Sequence, residues 1–402
     1  MLEAQALVGV AFPPGSSIFL KRTGSPHICL HAPVGRSRPA HLSGVVAPTK
    51  NGSRFKRKHL MKITTALTSL LQIVASIALT GVAHADTKNI RIAFSNNYAG
   101  NSWRQAMLKS YDIVTKKAVA DGIVAAADVF TTADKEVPTQ AAQIQNLILQ
   151  GYNAIVINAS SPDALNGAIK QATDAGIVVV SFDGIVTEPS AYRVVVDFKD
   201  YGEQEVEHLA GWLPKGGSLL EIRGLAGTSI DDAIHSGIAA GVAKHPEFKI
   251  VNSVEGDWDQ TTAQKAVATV LPSLPEIIGV VDQGGDGYGT AQAFTAAGRK
   301  LPIIIMGNRQ DELAWWKEQK DKNGYTTWSA SIAPGVSTLA FWVAQQILDG
   351  RKDIPHDLLV PYLAFTQDDF EAALPNIPTG GVASHEYTLE DAKKAIEANV
   401  KK

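Results

Sequence analysis

Residues 153–163 read NAIVINASSPD and residues 175–184 read AGIVVVSFDG. Each holds a short run of β-branched residues, 154–158 and 177–182, that ends in a polar group and a turn. Apolar runs without alternation belong to strands covered on both faces, as in a parallel sheet between helices. Working outward, strands are expected at 90–94, 128–131 and 193–196, with helices over 102–120, over 138–150 and from Ser161 onward. The pattern then restarts. Residues 218–222, 249–253, 279–281 and 302–306 read as strands, each followed by a helical stretch. Two βαβ series predict an α/β chain of two doubly wound parallel-sheet domains, joined near 197–202. A helix over 334–348, a strand over 358–363 and a helical tail are too many elements for the second series. The chain is therefore expected to cross between lobes more than once, forming a multi-strand hinge. The first lobe is expected to comprise 86–199 with about 332–356, and the second 200–331 with about 357–402.

The N-terminus carries a separate signal. A basic stretch from Arg54 to Lys62 precedes an uncharged segment, 63–82, and Ala83-His84-Ala85 closes it. This is the layout of a cleaved secretory signal, read as residues 61–85 with cleavage after Ala85. Thr64, Thr65, Thr68, Ser69, Gln72 and Ser76 interrupt the run and make it a poor permanent anchor. Residues 1–60, rich in Pro, Gly, Ser and Arg, read as an over-extended start or a disordered leader. The expected location is the periplasm.

Residues 1–85 hold ten Lys or Arg and one acid, Glu3. Taking these from the chain's 37 basic and 40 acidic residues leaves 27 against 39, a net charge near −12. Such a surface argues against nucleic acid and against anionic lipid. The one cysteine, Cys29, precedes the expected cleavage point, so thiol chemistry and cysteine metal sites are not expected of the exported chain.

Catalytic constellations are absent from the sequence. There is no GxSxG elbow, no HExxH and no DxDxDG loop. The run Gly284-Gly285-Asp286-Gly287-Tyr288-Gly289 does not match dinucleotide glycine spacing and reads as a tight strand-to-helix turn. His208, His235, His245, His356 and His385 have no ligand spacing. No cofactor or metal is expected, and the chain is not expected to be an enzyme. Ligands of open α/β sheets bind beyond the carboxyl ends of strands. Those positions offer Asn96, Asn97, Asn101, Trp103 and Arg104, then Asp183, then Asp257-Trp258-Asp259, then Asn308-Arg309-Gln310. Planar hydrogen-bonding groups beside flat aromatic rings suit a sugar or polyol, whose hydroxyls need partners and whose C–H face packs on a ring.

At these residues the chain resembles the periplasmic sugar-binding proteins of bacterial ABC importers, in the group containing the ribose-binding protein. The resemblance runs from about Asn89 to Leu348. It rests on IAFS…NSWR (92–104), on 143–151 followed by NAIVIN, on AGIVVVSFD (175–183) and on the glycine-rich turn GLAGTS (224–229). It implies the type I periplasmic binding fold, a sugar between two lobes, a monomer, and an ABC permease as partner. It implies Asn97, Asn101, Trp103, Arg104, Asp183, Asp231, Trp258, Gln283 and Asn308 as ligand-binding residues, with the sugar ring between Trp103 and Trp258. The chain departs from the family where an Arg after the aspartate is Gly184, where an Arg on the next domain's first helix is replaced around 231–234, and where a Gln is Ala333. Arg104 is expected to supply part of the missing charge.

Each position also has a plainer reading: Trp103 and Trp258 as packing aromatics, Asp183 and Asn308 as helix N-caps, Arg104 as a surface charge. Trp315-Trp316 are assigned to the core. Two other functions stay open on sequence alone. An exported sugar-acting enzyme would use Asp183 with Asp231 or Asp286. The effector core of a sugar-responsive repressor would need a DNA-binding segment where the signal peptide stands.

Overall fold

The computed structural model describes residues 87–133 and 135–400, all within one compact unit of the chain. The leader, the expected signal peptide and Cys29 lie outside the described residues. The first sheet holds β1 (Arg91–Asn96), β2 (Ala126–Thr131), β3 (Ala154–Asn158), β4 (Val178–Phe182), β5 (Tyr192–Val195) and β11 (Asp357–Leu359). Its order is β2-β1-β3-β4-β5-β11, and every pairing is parallel. The order reverses between β1 and β3, the place where open α/β sheets present a crevice. All five residues of β3 are buried, which is why its sequence shows no alternation. One face packs Phe94, Tyr111, Phe182 and Phe341; the other packs Ile144, Leu147, Ile155 and Ile169.

The helices between its first strands are α1 (Ser102–Ala120), α2 (Val137–Leu149) and α3 (Asn166–Asp174). The expected helix start at Ser161 is displaced: Ser161 Oγ accepts from Ala164 N at 3.2 Å in a turn, and α3 begins only at Asn166. Serine here satisfies a local turn rather than a helix end.

After α4 (Phe198–Trp212) the arrangement repeats. The strands β6 (Gly217–Arg223), β7 (Phe248–Glu255), β8 (Ile277–Asp282) and β9 (Ile303–Ile304) form a parallel sheet in the order β7-β6-β8-β9. Between them run α5 (Ser229–Lys244), α6 (Gln260–Val270) and α7 (Gly287–Ala296), and α8 (Gln310–Asn323) follows. The strand expected over 302–306 shrinks to two residues. Met306 nevertheless bridges in parallel to Ser329 of β10 (Ser329–Ser331), so the hydrogen-bonded surface continues outward. β10 pairs antiparallel with β12 (Leu363–Phe365). The two α/β domains of the expected fold class are thus present.

The chain crosses between lobes after β5, after β10, between β11 and β12, and again between the segment ending near Ala383 and the C-terminal helix. Helix α9 (Val336–Leu348) lies against β4, β3 and α1 of the first lobe. The strand expected over 358–363 is two strands, one in each lobe. The C-terminal segment also divides, where the sequence reading placed all of 357–402 with the second lobe. β11 joins the first sheet beside β5, and α11 (Leu389–Val400) packs on α9 and β11 through fully buried Ala392 and Ile396. Only β12 and α10 (Phe370–Ala373) stay with the second lobe, where Phe370 stacks on fully buried Trp316 at 4.0 Å.

Candidate ligand-binding site

The carboxyl ends of β1 and β4 face those of β6, β8 and β9 across a cavity. Asn101, Trp103, Arg104 and Asp183 line one wall, and Trp258, Gln283, Asn308 and Arg309 the other. Phe198, Ser331 and Ile332, at two of the crossings, close it from the side.

The first wall is set by a helix start. Asn101 caps α1, its Oδ1 accepting from Arg104 N at 2.9 Å, which fixes the first turn carrying Trp103 and Arg104. Trp103 Nε1 donates to Ile332 O at 2.7 Å, tying α1 to a crossing, while the ring packs partly on the first core. The Arg104 guanidinium lies 5.1 Å from the Trp103 ring centroid and its Nη1 2.9 Å from Asp183 Oδ2. Both side chains of that ion pair are 5% exposed. Asp183 Oδ2 also accepts from Asn158 Nδ2 at 2.8 Å. Burial raises the Asp183 carboxyl above its ordinary range, and Arg104 opposes this without cancelling it. Asp183 sits at φ 56°, the left-handed region, rather than as a helix N-cap. A side chain at Gly184 would meet Ala159 O at 2.5 Å and Asn158 Oδ1 at 2.7 Å. That turn has no room for the arginine expected after the aspartate; the buried cation beside Asp183 comes from Arg104.

The second wall rests on two consecutive residues in the left-handed region, Asp257 (φ 55°) and Trp258 (φ 54°). Such strain in non-glycine residues persists only where the surroundings impose it. Arg309 Nη2 donates to Trp258 O at 2.5 Å, and the indole lies over Gly224, where an added Cβ would meet the ring at 2.2 Å. Asn308 is not an N-cap. Its Nδ2 donates to Leu363 O at 2.7 Å and its Oδ1 accepts from Ser329 Oγ at 2.5 Å, so the amide ties β10 to β12. Gln283 is 6% exposed, and its Nε2 donates to Asp231 Oδ1 at 2.8 Å.

Seven of the nine residues expected to bind ligand therefore line one cavity; Asn97 and Asp231 do not. Asn97 Nδ2 donates to Ala159 O at 3.0 Å and joins the loops after β1 and β3. Asp231 is turned away from the cavity by a paired hydrogen bond from Arg223: Nε to Oδ1 at 2.9 Å and Nη2 to Oδ2 at 2.5 Å. Arg309, noted at a strand exit but not carried into the expected ligand-binding set, lines the cavity, as do Phe198 and Tyr201 of the helix just past the join, which sequence reasoning left out. Val382 also reaches the cavity, from a C-terminal segment that carries no pattern at all.

Behind the second wall lie Glu205, Asp282, Asp286 and Glu312, all fully buried. Burial is the first cause that pushes their carboxyls up; repulsion from Glu312 adds to it at Asp282 and from Asp282 at Asp286, while Arg309 pulls against the rise at Asp282, Asp286 and Glu312. Glu312 Oε1 accepts from Gly287 N and Gly307 N, and its Oε2 from Arg309 N, so it braces the turn that presents Asn308 and Arg309. Asp183 is paired with Arg104 and Asp231 with Arg223, while Asp286 is not among the lining residues. The two carboxylate pairs considered for acid/base work do not face each other across the cavity. Among the described residues no cluster of His, Cys, Asp or Glu is arranged to hold a metal, and no helix is long and apolar enough to cross a membrane.

A family model described as periplasmic binding protein domain matches residues 92–352. The chain is 28% identical over 260 residues to the xylitol-binding protein of Mycolicibacterium smegmatis, covering 62% of this chain and 72% of that one. It is 25% identical over 229 residues to a ribose import binding protein of Bacillus subtilis, covering 56% and 72%. The crystal structure of an ABC transporter solute binding protein from Thermobispora bispora superposes with a TM-score of 0.73 at 32% identity, over 78% of this chain and 96% of that one.

Proposed function

The chain belongs to the periplasmic binding protein family, and on that premise we propose that it captures a monosaccharide or a sugar alcohol between its two lobes and delivers it to the permease of an ABC importer. One observation carries this reading: a single cavity is lined from both lobes by planar hydrogen-bonding groups and by Trp103 and Trp258. A ligand that touches both walls binds the closed arrangement better than the open one, and only such differential contact shifts the equilibrium. The relatives named for xylitol and ribose agree in chemical class, since both ligands are neutral and rich in hydroxyls. Residues 61–85 are read as an export signal cleaved after Ala85, the exported chain as a periplasmic monomer, and its role as binding without chemistry.

The test is a thermal-shift panel of purified protein against D-ribose, D-xylose, xylitol and D-allose, with phosphorylated sugars and nucleosides as controls. A ligand at a hundred times its Kd adds about 2.7 kcal/mol of stability. A rise for one or a few neutral sugars, lost in Trp258→Ala, supports the reading. A flat panel from folded protein, or a rise only for the controls, overturns it.

A further inference from the structure

We infer that Arg223 and Asp231 are positioning residues that lock the Gln283 amide with its oxygen toward the cavity, so that the site accepts a hydroxyl proton from its ligand at that point. The ligand half of this inference rests on the sugar reading above; the orientation half does not.

Gln283 Nε2 donates twice to one residue, to Asp231 Oδ1 at 2.8 Å and to Asp231 O at 3.2 Å. Its Oε1 is buried and has no hydrogen-bond partner in the protein, while Gln283 itself lines the cavity. Turning the amide over would bring Oε1 against a carboxylate oxygen and a carbonyl oxygen, both acceptors, and would forfeit both bonds. The orientation is therefore set by chemistry, provided the Asp231 side chain stays in place. Arg223 secures this. Located at the end of β6, it grips both carboxylate oxygens in a fork, and Gly224 N adds a bond to Oδ1 at 3.2 Å. Thr228 Oγ1 accepts from Asp231 N at 3.3 Å and fixes the first turn of α5 beneath it. The Asp231 side chain is 3% exposed, so water does not compete for these bonds.

The result is a buried acceptor on the same wall as the Arg309 guanidinium, which offers only donors. A buried acceptor left unmet is costly, so a ligand that fills the cavity must bring an O–H to it.

Two measurements test the inference. The first needs no ligand: side-chain amide exchange of Gln283 by NMR, with the signal assigned by its loss in Gln283→Leu. The Gln283 amide protons should exchange at least tenfold more slowly than those of exposed glutamines, and Asp231→Asn or Arg223→Lys should abolish that protection. Arg223→Lys keeps the charge without the fork and serves if Asp231→Asn does not fold. Exchange at exposed rates in the wild type, or protection unchanged in both variants, overturns the positioning role. The second uses whichever of D-ribose, D-xylose or xylitol binds, with its monodeoxy and monofluoro derivatives. Fluorine cannot donate, so at one carbon both derivatives should bind roughly tenfold or more weakly than the parent, as expected for one lost hydrogen bond. In Asp231→Asn the fluoro penalty should shrink while the deoxy penalty remains. Fluoro derivatives that match the parent at every carbon overturn the acceptor assignment. If no sugar binds, the sugar reading fails and amide exchange still decides the orientation.

Discussion

Arg104 Nη1 and Asp183 Oδ2 lie 2.9 Å apart with 5% of either side chain exposed, one from the first turn of α1 and the other from the turn after β4. This pair joins two strand ends of one lobe and presents charge to the cavity. Removing one member of a buried pair leaves the other's desolvation uncompensated, typically at about 3–5 kcal/mol. Asp183→Asn and Arg104→Met should each lower the unfolding free energy by roughly that amount in urea titrations. The double substitution should cost less than the sum of the two. Additive losses would show that the pair is not coupled.

Gly184→Arg places a side chain where Ala159 O stands 2.5 Å from the ideal Cβ. The substitution should not restore a family-like contact. It should lower stability by about 3 kcal/mol or more, as expected when the backbone must shift. An unchanged melting temperature with improved sugar binding would contradict the steric account of this departure.

At Gly224 a single methyl would collide with the Trp258 indole at 2.2 Å. Gly224→Ala should displace the ring and weaken sugar binding by roughly tenfold or more, an aromatic contact being worth about 0.5–1.5 kcal/mol beyond its area. Calorimetric titration reads the affinity, and tryptophan emission reports the displaced ring. Retained affinity would show that the indole does not touch the ligand.

The carboxyls of Asp282, Asp286, Glu205 and Glu312 are raised by burial, so the folded chain holds protons that the unfolded chain releases. Their favourable contribution is complete below the ordinary carboxylate pKa of about 4 and is lost as pH rises through the folded values. Asp282→Asn keeps an oxygen for Gly284 N, which Asp282 Oδ1 now receives at 2.7 Å. It should add about 1 kcal/mol or more at pH 8 and little at pH 4. A gain of equal size at both values would mean that charge is not the cause.

The parallel strands and their succession along the chain were legible because β3 and β4 are covered on both faces and their runs carry no alternation. The lobe to which the C-terminal segment belongs was not legible. Leu358 and Ile396 read as ordinary apolar residues, and only their packing against Val194 and α9 assigns them to the first sheet. In the cavity, Trp103, Arg104, Asp183, Trp258, Gln283 and Asn308 could be found because strand ends mark them. That Asp231 does not line the cavity was not legible, for a physical reason. A carboxylate at a helix start looks the same whether it meets a ligand or an arginine, and Arg223 lies in the preceding strand, where nothing advertises a partner. The left-handed backbone at Asp183 and Trp258 likewise left no trace in residue type.

The crossings bear on how the two lobes can move. Two bodies joined by one flexible tether can twist, rock and nod against each other. Here the segments leaving β10 and entering β12 run side by side in opposite directions, with Ser329 opposite Phe365 and Ser331 opposite Leu363, and the link from β5 to α4 and the segment before α11 are further supports. A ribbon of this kind resists torsion and folds readily only about an axis across its width. A relative motion of the lobes would thereby be restricted to few coordinates, and a closure would bring Trp258 and Gln283 back to the same places opposite Arg104 and Asp183.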